Sequence, residues 1–103
     1  MELVVLIYAL TDSYPSSELY GLTSQSRRCS VSIPSNIAEG RRRSGDNEFY
    51  HFLSIAFASG AELETQVEIA KRLPFGQKLD YSKVDSLLEE VMKMLNKLLQ
   101  KKK

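Results

Sequence analysis

Residues 22–40 read LTSQSRRCSVSIPSNIAEG, and this stretch decides how the chain folds. It has the periodicity of a helix, although a proline lies inside it and polar side chains follow one side. On a helical wheel these polar side chains fall within a wedge of roughly 80° at 3.6 residues per turn. They are Gln25, Arg28, Ser32, Asn36 and Glu39. Because the wedge borders an apolar stripe that includes Ile33 and Ile37, we expect its side chains to be half buried and to need hydrogen-bond partners.

The proline and the glycine of this stretch predict the shape of the second helix, residues 22–42. Pro34 has no backbone N–H and its ring clashes with the carbonyl of Ser30, so a kink is expected at Pro34. Gly40 is typical of a helix end. Three arginines follow it, at a position where the helix dipole favours cations.

Three further segments surround this helix in the sequence. Residues 2–12 are nearly all apolar; their valines and isoleucine would suit a strand, but no alternating segment exists to pair with it, so a helix is favoured. Residues 46–73 repeat apolar side chains at spacings of three and four and end before Pro74. Residues 82–101 repeat the same pattern with leucine and valine. The sequence therefore predicts an all-α protein, an antiparallel up-and-down four-helix bundle that forms one domain over residues 1–103.

Composition limits what the chain can bind. With 14 basic and 13 acidic residues, the net charge of +1 excludes binding to nucleic acid through bulk charge but permits a local basic patch. Cys29 is the only cysteine and cannot form an internal disulfide, which suits the reducing cytoplasm. The apolar run at 3–10 is too short to span a bilayer, and the acidic residue 2 is unlike the start of a signal peptide. We expect a cytoplasmic protein with no membrane partner.

Catalytic and metal-binding patterns find little support. His51 is the only histidine, and seven residues and a helix start separate it from Arg43, which does not match the close spacing of an arginine–histidine nuclease motif. Glu62 and Glu64 differ by about 200° around a helix and cannot share one ion. No glycine loop has the spacing of a phosphate-binding motif. The sequence predicts a non-enzymatic protein without cofactor or metal, and a hydrolase or nuclease is the weakest hypothesis.

Two groups of short motifs resemble a known family. They are LTSQ at 22–25, RR at 27–28 and SIPSNIAEG at 32–40, then EF at 48–49, FL at 52–53, IA at 55–56 and AELETQ at 61–66. The chain is similar over roughly residues 1–73 to the four-helix-bundle proteins encoded in intervening sequences of bacterial large-subunit ribosomal RNA genes. That family includes the accessory protein of diversity-generating retroelements.

The resemblance carries several expectations. It implies homopentameric barrels that bind nucleic acid or a nucleic-acid enzyme; in the retroelement branch the partner is a reverse transcriptase with its template RNA. The first helix of the family begins earlier than residue 2, so a shortened first helix is expected here.

The polar wedge of the second helix has two interpretations. In the structural one, Arg28 pairs with a carboxylate of the third helix such as Glu62, while Asn36 and Gln25 bond to the backbone or to one another. In the functional one, the wedge lines a groove that binds a solute or nucleotide. We favour the structural network, whose predicted members are Gln25, Arg28, Ser32, Asn36, Glu39 and Glu62. A mixed flank of the third helix faces the same way and contains Glu48, Ile55, Ser59, Glu62 and Gln66.

The basic residues at the end of the second helix are the best functional lead. We call Arg41, Arg42 and Arg43 the arginine run, and Arg27 is a further candidate. Contact with phosphates is one interpretation, and a solvated turn is the other. A ring of copies would multiply the charges, and apolar side chains off the main stripes favour assembly: Val31, Ile55, Phe57, Ile69 and Met94. The alternative function is a structural protein-interaction scaffold that never touches nucleic acid. Residues 101–103, all lysine, are expected to form a solvated tail.

Overall fold

In the computed structural model, which describes residues 1–102, the chain folds into four α-helices. They are α1 (Glu2–Thr11), α2 (Ser24–Arg42), α3 (Asp46–Arg72) and α4 (Ser82–Leu99). No strand occurs in this part of the chain, so the predicted all-α class is confirmed. Every helix lies within two residues of its predicted bounds at both ends, because the apolar periodicity stops where the loops begin.

The four helices share one hydrophobic core. Ile7 of α1, Leu63 of α3 and Leu95 of α4 are each 0% exposed, and Ile33 of α2 packs with them at 4% exposed. The molecule is elongated, with extents of 45 × 22 × 19 Å. Each helix buries one face, which explains why the amphipathic pattern was readable.

The helix α1 is the shortest of the four, with 10 residues against 27 in α3. The shortening relative to the family stays a prediction. It buries Leu3, Ile7 and Leu10 and leaves Val5 67% exposed. At the end of α1, the Thr11 hydroxyl donates to the Ile7 carbonyl at 2.7 Å. No helix within residues 1–102 is both long and apolar enough to cross a membrane.

Between α1 and α2 the chain winds irregularly. A 3₁₀ turn (Ser16–Glu18) leads into a π-helical segment (Leu19–Thr23), so the α-helix begins at Ser24 rather than at the predicted residue 22. Gly21 has φ −112° and ψ −113°, which lie outside the helical region. Glycine adopts this conformation at little steric cost because it has no Cβ. The Glu18 carboxylate accepts a hydrogen bond from the Leu22 N–H at 3.4 Å and caps this segment.

The helix α2 runs through Pro34 without interruption. The Ser30 hydroxyl donates to the Arg27 carbonyl at 2.8 Å, one turn before the position where Pro34 withholds its own donor. The predicted kink stays a prediction.

Contacts between α2 and α3 join early residues of one helix to late residues of the other. The contacting pairs are Cys29 with Glu62, Ser32 with Ser59, and Gly40 with Phe52. Between α3 and α4, Lys71 contacts Asp85 while Gly60 approaches Met92. This order favours neighbouring helices that run in opposite directions. The antiparallel up-and-down arrangement of the whole bundle stays a prediction.

Candidate functional site

A polar groove lies between α2 and α3. Its volume is about 490 Å³, and it is open to solvent. It is lined by Gln25, Arg28, Cys29, Ser32, Ser59, Glu62 and Gln66, and we call these seven residues the polar groove. The sequence placed four of them in the predicted network and Ser59 and Gln66 on the mixed flank of the third helix. The groove therefore forms where the two polar flanks meet.

The floor of the polar groove is a chain of hydrogen bonds. The Ser32 and Ser59 hydroxyl oxygens lie 2.7 Å apart across the two helices. The Asn36 amide donates to the Ser32 hydroxyl at 2.9 Å and to the Ser32 carbonyl at 2.8 Å. The prediction that Asn36 bonds to the backbone is confirmed. These bonds hold the floor side chains in fixed positions, and Ser59 is only 8% exposed.

The predicted ion pair between Arg28 and Glu62 is wrong. Both side chains are exposed on the rim of the polar groove, and neither has a partner of opposite charge within 4 Å among residues 1–102. Gln25 is exposed as well and makes no hydrogen bond in this part of the chain. The wheel gave the correct side of the helix, but it could not tell the rim from the floor. A side chain on the rim stays hydrated, so an ion pair there would add little to the free energy of folding.

Cys29 and Gln66 connect the floor to the rim. The Cys29 thiol lies 3.8 Å from the Glu62 carboxylate, and the Gln66 amide nitrogen donates to the Cys29 sulfur at 3.6 Å. Burial raises the pKa of the Cys29 thiol, and the Glu62 carboxylate also raises it, although the hydrogen bond from Gln66 lowers it. The thiol is therefore protonated at neutral pH and is a poor nucleophile. The Gln66 Oε1 atom is buried and has no hydrogen-bond partner among the described residues.

Glu39, the last predicted member of the network, points along α2 rather than across to α3. Its carboxylate pairs with Arg43 at 2.9 Å, one turn further on. The Arg43 guanidinium also lies 5.1 Å from the centre of the Phe52 ring. Arg43 is thus held against α3, because it can reach both a carboxylate and an aromatic face.

The other two arginines of the run point into solvent. Arg41 and Arg42 are exposed and form no ion pair within residues 1–102. Gly40, just before them, lets α2 approach α3 closely, since a Cβ there would lie 3.1 Å from the Phe52 Cβ. The helix continues past Gly40, so Arg41 and Arg42 lie in its last turn.

The basic chain end lies at the same end of the bundle. The Lys102 amine lies 5.9 Å from the centre of the Tyr50 ring, and Tyr50 lies in α3 about one turn from its start. Turn hydrogen bonds from Lys101 N to Leu98 O and from Lys102 N to Leu99 O, both 3.2 Å, hold these two lysines. Both lysines are exposed, as expected for a solvated tail, and Lys103 lies outside the described residues. We call the arginine run together with Lys101 and Lys102 the basic end. Sequence reasoning missed this juxtaposition, which depends on where α4 ends.

Arg27 belongs to a different setting. Its guanidinium donates to the Thr11 hydroxyl at 2.8 Å and pairs with Asp12 at 3.1 Å. It also lies 4.6 Å from the centre of the Tyr8 ring. The side chain is 25% exposed. Arg27 ties α2 to the end of α1, and about 21 Å of helix separates it from Arg41.

Apolar side chains remain exposed beside Arg27. Tyr8, Leu19, Tyr20 and Val31 line a second groove between α1 and the start of α2, and Tyr20 is 91% exposed. Of the off-stripe apolar residues noted in the sequence, all but Phe57 are exposed: Val31, Ile55, Ile69 and Met94. Phe57 is half buried and packs on the core. These surfaces could cover one another in an assembly.

No group of three or more histidine, cysteine, aspartate or glutamate side chains converges as a metal site within residues 1–102. His51 is exposed and packs edge-on to Phe52, at 5.3 Å between ring centres.

An all-helical bundle with a polar groove between two helices and a basic end is the class of protein that the fold and these surfaces define. A sequence model of the 23S rRNA-intervening sequence proteins matches residues 1–97. The chain therefore belongs to the family of 23S rRNA-intervening sequence proteins. No curated protein matches the chain.

Proposed function

We propose that this protein is a non-enzymatic, self-assembling helical bundle that binds nucleic acid through its basic end. The observation that carries the proposal is the position of Lys102 over the Tyr50 ring. Because Tyr50 lies near the start of α3, Lys101 and Lys102 lie at the same end of the bundle as the arginine run. The basic end therefore offers five cations, of which Arg43 is already paired with Glu39.

The electrostatics of the basic end suit contact with phosphates. Arg41 and Arg42 are exposed and form no ion pair within residues 1–102, and an arginine fork can bind one phosphate through two hydrogen bonds. Asp46 and Glu48 lie in the first turn of α3 and reduce the net charge of this end. Binding would therefore depend on direct arginine contacts more than on a long-range field, and it would weaken as salt rises.

Self-assembly is the second half of the proposal. The exposed apolar side chains of α1, α3 and α4, together with Tyr20, which is 91% exposed, are available for contacts between copies of the chain. Five copies in a ring, the number that the family resemblance implies, would place five basic ends in a circle. A cytoplasmic location and, in the retroelement branch, a reverse transcriptase partner belong to the same proposal.

Salt titration of binding tests the first half. A fluorescent single-stranded RNA is titrated with the protein from about 50 to 200 mM salt, where each lost phosphate contact reduces the magnitude of the negative slope of log K against log salt by about 0.7. The double variant Arg41→Ala/Arg42→Ala is expected to reduce the magnitude of the slope by about 1.4 per chain engaged. The matched control is Lys78→Ala/Lys83→Ala, which also removes two exposed charges. These lysines lie at the connection between α3 and α4, at the opposite end of the bundle, so the slope should be unchanged. Absence of binding at low salt would overturn nucleic-acid binding.

A protein-interaction scaffold without nucleic-acid binding is the second candidate. It is favoured by Tyr20, a large aromatic side chain that is 91% exposed in the groove between α1 and the start of α2. Solution mass, measured by light scattering on the wild type and on Tyr20→Ser, separates assembly from a monomer. A monomeric wild type would remove the ring from the proposal, while RNA binding would still be tested independently.

A further inference from the structure

We propose that the polar groove binds a small zwitterion of the α-amino acid class, with the carboxylate on Arg28 and the ammonium group on Glu62. This inference is independent of nucleic-acid binding at the basic end. It rests on three properties of the groove: two uncompensated opposite charges, an unpartnered buried acceptor, and a fixed polar floor.

The two charges face one cavity without pairing. Arg28 comes from α2 and Glu62 from α3; both line the groove and are exposed, and within residues 1–102 neither has a partner of opposite charge within 4 Å. A guanidinium presents a planar fork that matches a carboxylate, and a carboxylate accepts from an ammonium group. A molecule that carries a carboxylate and an ammonium group a few ångströms apart can pair with Arg28 and Glu62 at once, whereas these two side chains do not pair with each other.

The unpartnered acceptor is the Gln66 Oε1 atom. It is buried and has no hydrogen bond within residues 1–102, while the nitrogen of the same amide donates to the Cys29 sulfur at 3.6 Å. A buried acceptor without a donor is costly, about 1–3 kcal/mol in general. Gln66 lines the groove, so a ligand N–H group beside Glu62 would relieve that cost once the Gln66 amide turns to expose this atom.

The floor supplies a rigid base for the ligand. The Ser32 and Ser59 oxygens are 2.7 Å apart, and Asn36 donates to Ser32 at 2.9 Å, so these side chains do not need to rearrange on binding. Preorganised polar groups lower the entropic cost of binding. The volume of about 490 Å³ accommodates an amino acid with room for water.

Other ligand classes fit the polar groove less well. A phosphate or nucleotide would meet the Glu62 carboxylate, and none of the seven lining residues is aromatic and able to stack on a base. A metal ion would find only one carboxylate and a protonated thiol. An apolar molecule would leave the amides and the guanidinium unsatisfied.

The test is a ¹H–¹⁵N NMR titration of the full-length protein with glycine, the smallest molecule of the class, up to about 50 mM, which covers the millimolar range expected of an open site. Saturable shifts are expected at the Gln66 side-chain amide and at the Ser32 and Ser59 backbone amides. Arg28→Gln and Glu62→Gln should each weaken binding by about tenfold, the loss of one charged hydrogen-bonding partner. Both side chains are exposed, so the variants are expected to fold. Arg42→Gln, which removes an exposed arginine of α2 outside the groove, should leave the affinity unchanged.

Three results would overturn the proposal. The first is the absence of saturable shifts in the groove. The second is an equal response to acetate or methylammonium, each of which carries only one of the two charges. The third is a change of solution mass in Arg28→Gln without any effect of glycine, which would assign the groove to contact between copies of the chain instead.

Discussion

The two ends of α2 carry the same residue type in opposite situations. At the start, Arg27 donates to Thr11, pairs with Asp12 and lies over the Tyr8 ring. At the end, Arg41 and Arg42 are exposed and have no ion-pair partner within residues 1–102. The difference shows that Arg27 is held in place because another part of the chain brings acceptors within its reach, whereas nothing does so for Arg41 and Arg42 within residues 1–102.

The largest expected effect is at the start of α2. Arg27→Ala should lower the free energy of unfolding by about 2 kcal/mol, because it removes a hydrogen bond to the buried Thr11, an ion pair and a cation–π contact together. Urea denaturation measures it, with Arg42→Ala as the matched control from the other end. Equal midpoints for the two variants would break the comparison.

A smaller effect is expected in the middle of α2, at the floor of the polar groove. Ser59→Ala should cost about 1 kcal/mol, since the Ser32 hydroxyl loses its partner across the helices but keeps Asn36. Thermal unfolding followed by circular dichroism measures it. Ser54→Ala, an exposed serine of the same helix, serves as the control. If Ser59→Ala and Ser54→Ala have the same melting temperature, the hydrogen bond between Ser32 and Ser59 does not stabilise the packing of α2 on α3.

At the end of α2, Arg43 should behave differently from its two neighbours. Arg43→Ala is expected to cost about 0.5 kcal/mol, because it loses a surface pair with Glu39 and a contact with Phe52. Urea denaturation of the three single alanine variants sharpens the comparison within the arginine run. A larger loss for Arg41→Ala or Arg42→Ala than for Arg43→Ala would contradict the contacts described.

The smallest effect is expected at the rim of the polar groove. Arg28→Met should change the free energy of unfolding by less than about 0.5 kcal/mol, the usual range for an exposed side chain without a partner. Arg27→Met, one residue earlier, is the matched control and should be clearly destabilised. A large loss in Arg28→Met would restore the buried network that the sequence predicted.

The sequence predicted the helices well, because every one of them buries an apolar face and stops at a loop. It did not predict the π-helical segment at 19–23, which depends on the backbone of Gly21 and the carboxylate of Glu18. A helical wheel gives the direction of a side chain and not its depth, so Asn36 was assigned correctly and Arg28 was not.

The ends of the bundle were harder to predict than its body. The partners of Arg27 lie 15 and 16 residues away, beyond an irregular connection. The contact between Lys102 and Tyr50 depends on the lengths of α3 and α4 together. The apolar periodicity of a helix gives no information on either of these contacts between distant residues.

The most direct test compares the salt dependence of RNA binding for Arg27→Gln and for Arg41→Gln/Arg42→Gln, at a temperature where both are folded. The account predicts that Arg27→Gln keeps the wild-type slope of log K against log salt, while the double variant loses about 1.4 of it. Equal losses at the two ends, or a wild-type protein that does not bind RNA at low salt, would contradict it.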